Sequence, residues 1–546
     1  MSDQVTRRSV LRGLGGAALL SLGSGSVLAG CSSGSTAGAS AEAGGKVKLP
    51  TYLPYAGVKP DLPGNAQGVL AGYSVYPADP VSVIKEPPGT GGTVTAMTLT
   101  YGAVPPAVDR NRYWQELNKR LGTELAINVV PNANYADKLA TVIAGGDLPD
   151  MVQFFAALKP PQFQALLRSK FQNLNEFLSG DAVKDYPFLA NIPTPSWRNA
   201  VFGGGIYGVP IPRGTVGTIV FVRDDLVRAK GLQRQPKSFA EFRELCKGLT
   251  DAKNNRWALG HPPTFLAFLE QMAGAPNTWR EENGKFTHHY ETEEAKQALG
   301  DMLTLLKDGV FHPDAAAAET DQVKQWLQAG TVAINRDGAG AWSGIAPTDS
   351  KDPDNVVGAM LPPGRDGGKG VHWAGGGAFG IVSFPTADKA KITELLGICN
   401  WLAAPFGTAE YQFRKYGLPG VHYELKGSEP VLNKTGETEL SVPVKYLSDS
   451  PAVLYESGKP ALTKAEHAFQ EQIMPLAIAD PSIGLFSETQ SAKGAQLDKQ
   501  LDDTLRDIFA GRKQFSDWDQ TVQQWRRNGG DKMRAEYEQS YHEANG

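Results

Sequence analysis

From Thr93 onward the hydrophobic pattern switches between the two-residue period of a strand and the 3.6-residue period of a helix, and this alternation leaves few folds open. Residues 94–100 (VTAMTLT) have strand composition, residues 113–121 carry apolar side chains at helical spacing, and residues 125–130 return to strand. A second helix is predicted over 135–144, stopped by Gly145-Gly146, and a short apolar strand over 151–155. Strand, helix, strand, helix, strand specifies a parallel sheet covered on both faces. With 546 residues the chain is too long for a single core, so two or more domains are expected.

Before that region the chain is of a different kind. Arg7-Arg8 precede a mildly apolar stretch, 13–29, that is diluted by five glycines and by Ser21, Ser24 and Ser26. A membrane span needs roughly 20 strongly apolar residues, so this stretch reads as a signal peptide of twin-arginine type. It ends in Leu28-Ala29-Gly30-Cys31, which resembles the lipobox of bacterial lipoproteins. The resemblance implies cleavage before Cys31, a lipid on its sulfur, and a protein held at the outer face of the cell membrane by that anchor alone. Residues 32–45 are a Gly/Ser/Ala tether, and 46–92, rich in Pro and Gly, is expected to lie extended on the body of the protein.

Loss of residues 1–30 would remove three arginines and one aspartate, taking the net charge from −4 to −6. A mildly acidic chain is a poor ligand for polyanions, which excludes nucleic acid as a partner. After Cys31 only Cys246 and Cys399 remain, each in an apolar helical pattern where a buried free thiol is the expectation.

Several motifs then fall in one order. Asn132 through Gln153, with Tyr135, Leu139 and Ala144-Gly145-Gly146-Asp147-Leu148-Pro149-Asp150, resembles a segment of the family 1 extracellular solute-binding proteins. Ile206-Tyr207-Gly208-Val209-Pro210, Phe221-Val222-Arg223-Asp224-Asp225-Leu226 and Thr331-Val332-Ala333-Ile334 are similar to later segments of that family. Tyr416-Gly417-Leu418-Pro419-Gly420-Val421-His422-Tyr423 and the tail with Gly529-Gly530-Asp531 resemble its aldouronate and oligosaccharide subgroup. The resemblance implies a type II periplasmic-binding-protein fold, two α/β lobes joined by hinge strands with the ligand between them. By that pattern lobe 1 comprises 93–217 and 362–420, and lobe 2 comprises 218–361 and 421–546. Hinge strands are expected near 214–222, 357–361 and just after Tyr416.

Catalytic and metal motifs are wanting. Gly375, Gly377 and Gly380 fit a dinucleotide spacing but lead into the strand-like Ile381-Val382-Ser383-Phe384, where a helix is needed to meet a pyrophosphate, so no cofactor is expected. The acids Asp224-Asp225 and Asp502-Asp503 are adjacent on helices and diverge, which does not suit acid and base work across one bond. His288-His289 lacks ligand spacing and reads as a solvated turn. Some members of the subgroup carry a calcium loop. The corresponding Asp251-Ala252-Lys253-Asn254-Asn255-Arg256-Trp257 has a lysine where an oxygen ligand is needed and Pro262 where a bidentate glutamate belongs, so no metal is expected.

Sugar rings pack their C–H faces on aromatic faces, and their hydroxyls need polar side chains at the rim. The aromatic candidates are Phe154 and Phe155, where the resemblance implies a sugar-stacking aromatic, and Trp197, Trp342 and Trp373 in Gly- and Pro-rich loops. The polar candidates stand at strand ends: Arg213, Thr215, His261, Asn335 and Arg336. If Arg213 and Arg336 both face the cleft, a uronate would suit them, because a guanidinium matches a carboxylate with two hydrogen bonds. The reading is therefore a monomeric, lipid-anchored receptor, not an enzyme, that delivers a sugar or oligosaccharide to the permease subunits of an ABC importer. The alternatives are a polysaccharide-active hydrolase, which needs two opposed carboxylates in the cleft, and a sugar-sensing lipoprotein without transport.

Overall fold

Two sheets organise the chain, and in a computed structural model residues 47–155, 160–318, 320–345 and 356–545 are described. The signal peptide, Cys31 and the tether lie outside them. The first sheet has the strand order Glu124–Pro131, Thr93–Thr100, Met151–Phe155, Ala378–Ser383, Val209–Pro212. Its first three strands run parallel, as the alternating pattern requires, and Ala378–Ser383 runs antiparallel to both of its neighbours. The helix Arg112–Leu121 buries Tyr113, Trp114, Leu117 and Leu121 against this sheet. The Asn111 side chain accepts the Trp114 N–H (2.9 Å) at its start, and Gly122, at φ 68°, ends it.

The second sheet has the order Val357–Met360, Thr218–Arg223, Val332–Gly338, Trp257–Leu259. One of its faces packs on helices Phe239–Leu249, Pro262–Ala273 and Glu293–Lys307 and on the C-terminal helices, through Phe242, Phe268, Leu299 and Trp525. Its other face packs on Leu327, Trp342 and helix Pro460–Ile473. Cys246 and Cys399 are buried free thiols on helices, and burial pushes both thiols up.

Two segments join the sheets side by side. The Arg213 N–H donates to the Gly377 carbonyl (2.9 Å) and the Gly375 N–H to the Thr215 carbonyl (2.8 Å). Gly217, at φ 63°, lets these backbones touch, since a Cβ there would stand 2.9 Å from the Gly375 nitrogen. The third crossing, expected after Tyr416, comes later. Val442, Val444, Tyr446 and Leu447 belong to the first core, and the chain joins the second only at Leu462. The reason is local: the Glu439 carboxylate accepts the N–H groups of Arg112 (2.7 Å) and Tyr113 (3.3 Å), fixing the segment after Gly420 to a first-lobe helix. Residues 421–447 therefore pack with lobe 1, not lobe 2.

Residues 47–92 form no helix or strand and run across the surface. Val47, Leu49, Leu53 and Ile84 cover the first core, while Val69 reaches the core beside the second sheet. The stretch that corresponds to the subgroup's calcium loop forms a turn, with the Asn254 amide donating to Asp251 (2.7 Å) and Asn255 left-handed at φ 56°.

Candidate functional site

At the carboxyl edge of the first sheet, side chains from four separate stretches form a tier of aromatic rings. Phe155, the last residue of its strand, stacks on Phe379 (centroids 4.6 Å, 29°), and Phe379 stacks in turn on Tyr446 (4.9 Å, 26°). Tyr101, one residue past its strand, meets Phe379 and Tyr446 edge-on at 6.4 and 6.3 Å and remains 37% exposed. A flat apolar surface open to water is what the C–H face of a sugar packs against.

Cations crowd the end of this tier. The Arg213 guanidinium lies 5.2 Å from the Phe379 centroid and 3.2 Å from Asp449, whose other oxygen accepts from Arg414 (2.5 Å). Lys445 lies over the Tyr446 ring at 5.1 Å and Lys415 beside Tyr411 at 5.7 Å. Burial tends to raise the Asp449 carboxyl, but Arg414, Lys415 and Arg213 outweigh it and hold the group far below the usual range. Burial pulls Lys415 down to about 8, with Asp449 opposing and Arg414, Lys445 and Arg213 adding to the fall. Lys445 is exposed, yet burial also pulls it down.

The facing wall comes from the second sheet. At the end of Val332–Gly338, Asp337 pairs with Lys324 (3.2 Å), and these charges reach across: burial, Tyr446, Asp321 and Asp337 push the Tyr101 phenol up to about 12, against Arg213. Lys324 likewise lowers Lys445. On the other face of that strand, burial pulls Arg336 down to about 10, with Glu270 opposing, and its Nε is buried without a hydrogen-bond partner among the described residues. Glu270 Oε1 stands 3.4 Å from His289 Nδ1, and neither atom has a well-formed hydrogen bond. The His289 ring meets Trp373 edge-on at 5.7 Å, and the Trp373 indole N–H donates to the Ala275 carbonyl (2.9 Å).

The residues expected at the site therefore divide. Phe155 and Arg213 stand in the aromatic tier, and Arg336 and Trp373 by the second wall. Thr215 lies in a crossing segment, with its hydroxyl against Gly68 of the extended segment. His261 is the half-buried N-cap residue of Pro262–Ala273, its carbonyl accepting from the Thr264 hydroxyl (2.8 Å). Four others are corrected to core positions. Phe154 points to the opposite face from Phe155 and packs edge-on against Phe163 and Phe171. Trp197 is buried in the first core, and Asn335 is buried in the sheet opposite Phe221. The Trp342 indole donates to the Val357 carbonyl (3.1 Å) between Phe221 and Phe469. His288 is corrected too: it is buried between Trp279 and Trp525, its ring accepts the Tyr290 N–H (3.4 Å), and burial holds it neutral.

Sequence reasoning missed Tyr101, Phe379, Tyr446, Lys445, Glu270 and His289. Tyr101 carried the same signal as Phe155, an aromatic at the end of a parallel strand. A groove of about 770 Å³ lies elsewhere, along the outer edge strand Glu124–Pro131, lined by Met97, Trp114, Ile127 and Val142. Among the described residues no group of three or more His, Cys, Asp or Glu is arranged to hold a metal, and no helix is long and apolar enough to cross a membrane.

Residues 64–405 match the profile described as bacterial extracellular solute-binding protein. The polygalacturonan/rhamnogalacturonan-binding protein YtcQ of Bacillus subtilis is 26% identical over 474 residues, covering 82% of this chain and 91% of that protein. Lipoprotein LipO of the same organism is 23% identical over 489 residues, 83% and 93% of the two chains. Among solved structures, the alginate-binding protein AlgQ2 without calcium ion superposes with a TM-score of 0.62 at 16% identity, covering 85% of this chain and 99% of that one. An HMO-binding, ABC-transporter-associated solute-binding protein from Bifidobacterium longum infantis gives 0.61 at 14%, covering 83% and 99%.

Proposed function

The chain belongs to the bacterial extracellular solute-binding protein family, and from that premise we propose that it captures an acidic oligosaccharide outside the cell membrane and delivers it to an ABC importer. The observation that carries this reading is the cluster of cations at the aromatic tier: Arg213, Arg414, Lys415 and Lys445 surround the Asp449 carboxylate, with Glu456 near Lys415 and Asp337 paired with Lys324 beyond. The cations outnumber the carboxylates they face, and, partly desolvated, they are stabilised by a ligand that brings its own carboxylate. The rings beside them supply the stacking surface for its sugar. The relative named for polygalacturonan and rhamnogalacturonan binding supports the same chemistry.

Binding would draw the two walls together about the crossing segments 213–217 and 375–377, because a ligand held by both walls favours their closed arrangement by its differential affinity. The closed form is what the permease subunits would engage, and Cys31 would hold the receptor near them. The charges near the tier do not suit a hydrolase: Asp449 is held ionised by its cations and Asp337 is tied to Lys324, so neither is a free general acid. Calorimetric titration with trigalacturonate and with galactotriose tests the reading. The acidic trisaccharide should bind at least about tenfold tighter, by an amount that shrinks with added salt. Equal affinities at low salt would overturn it.

A further inference from the structure

The two walls differ in the sign of their charge. Arg336 and Asp337 are consecutive at a strand end, so their side chains leave opposite faces of the sheet. Asp337 goes to Lys324 and the basic, aromatic end. Arg336 goes to the face of helix Pro262–Ala273, where Glu270 acts on it. There the surroundings are acidic. Glu270 is 2% exposed, and His289, 3.4 Å from it, is also within the field of Asp480 and Asp498, with Asp502 beside the latter. Glu270 thus acts on Arg336, while Glu270, Asp480 and Asp498 surround His289.

Three polar atoms at this end are buried with no hydrogen-bond partner among the described residues: Glu270 Oε1, His289 Nδ1 and Arg336 Nε. Glu270 Oε1 and His289 Nδ1 face each other at 3.4 Å without hydrogen-bond geometry and Arg336 Nε has no partner, so all three retain capacity for a ligand that supplies donors and acceptors. A sugar hydroxyl does both, donating to the glutamate and accepting from the guanidinium. A second ligand carboxylate would be repelled by Glu270, Asp480 and Asp498. The Trp373 ring, edge-on to His289, adds apolar surface at the same place.

We infer that the ligand is of mixed charge, with a carboxylated sugar unit at the Arg213 and Lys445 end and an uncharged, hydroxyl-bearing unit against Glu270, His289 and Arg336. This rests on the acidic-oligosaccharide reading and narrows it, by excluding a uniformly charged polyuronate chain as the preferred ligand. Repulsion at one end and attraction at the other set both the direction of the bound chain and the selection among acidic glycans.

The test is calorimetric titration of the mature protein with three probes: an alternating galacturonate–rhamnose tetrasaccharide, trigalacturonate and galactotriose. The alternating probe should bind about tenfold tighter than trigalacturonate or better, and galactotriose should bind most weakly. Trigalacturonate binding as tightly as the alternating probe would overturn the mixed-charge inference and leave the acidic reading standing. Galactotriose binding as tightly as both would overturn the two together. Glu270→Gln should narrow the preference for the alternating probe several-fold by relieving the second carboxylate. Asp498→Asn, at a solvent-accessible position, should do the same without touching the core. A preference unchanged in Asp498→Asn, and in a Glu270→Gln protein that melts as the parent does, would also refute the inference.

Discussion

Replacing Lys445 with methionine should weaken ligand binding and stabilise the ligand-free protein, a pair of opposite effects that only a binding cation produces. Lys445 is exposed and burial pulls its ammonium down; Asp449 raises it, while Arg213, Arg414 and Lys324 lower it further. A cation whose folded pKa lies below its unfolded one costs stability at every pH where it is charged, so neutralising it at pH 7 should raise the melting temperature. Toward the ligand the sign reverses. A carboxylate about 6 Å from the ammonium gains about 3 kcal/mol at an effective dielectric constant of about 20. Exposure and salt reduce that to about 1–2 kcal/mol, or about a 5- to 30-fold rise in Kd. Calorimetry with trigalacturonate, paired with melting of the ligand-free protein, reads both quantities. A lower melting temperature with unchanged affinity would show that Lys445 serves the fold and that the anion sits elsewhere.

Trp342→Ala should cost about 3–5 kcal/mol of stability by urea denaturation while leaving affinity in the surviving protein unchanged, since the indole is buried between Phe221 and Phe469. Lys415, drawn down to about 8 by burial, loses its charge as the pH passes that value, so affinity for an acidic ligand should fall between about pH 7 and 9; ligand-free stability should rise over the interval from about 8 toward 10.5, where the unfolded lysine still holds its proton. Glu466 is buried, and burial with Glu456 nearby pushes it up to about 8. Its contribution to stability is complete below 4.5 and is lost as pH rises through about 8, so Glu466→Gln should flatten the decline in melting temperature over that window. Cys31→Ala should release the exported protein from the membrane fraction into the medium, as detergent partitioning would show.

The architecture was legible because it rests on local chemistry. Apolar periodicity placed the strands Thr93–Thr100, Glu124–Pro131 and Met151–Phe155 and the helices between them to within a few residues, and Gly122 and Gly146 ended those helices as left-handed caps. The third crossing was not legible. It depends on Glu439 reaching back some three hundred residues to cap the helix that begins at Arg112, and no local pattern records such a contact.

The site divides along the same line. A residue at the end of a parallel strand sits at the carboxyl edge by construction, and Phe155 and Arg213 stand there. Tryptophans in Gly-rich loops carry no such guarantee. A glycine-rich approach lets a ring turn inward as readily as outward, and Trp342 turned inward to place its N–H on the Val357 carbonyl. Tyr446 and Lys445 reach the tier on a short turn, Val444–Tyr446, within a segment that belongs to no strand of either sheet. Glu270 stands on an apolar helix with no local pattern to mark it, and its buried oxygen meets only His289, at 3.4 Å. The polar half of a binding site is thus the part least visible in sequence. Its residues are recognised by hydrogen bonds left unmade, and unmade bonds exist only once the chain has folded around them.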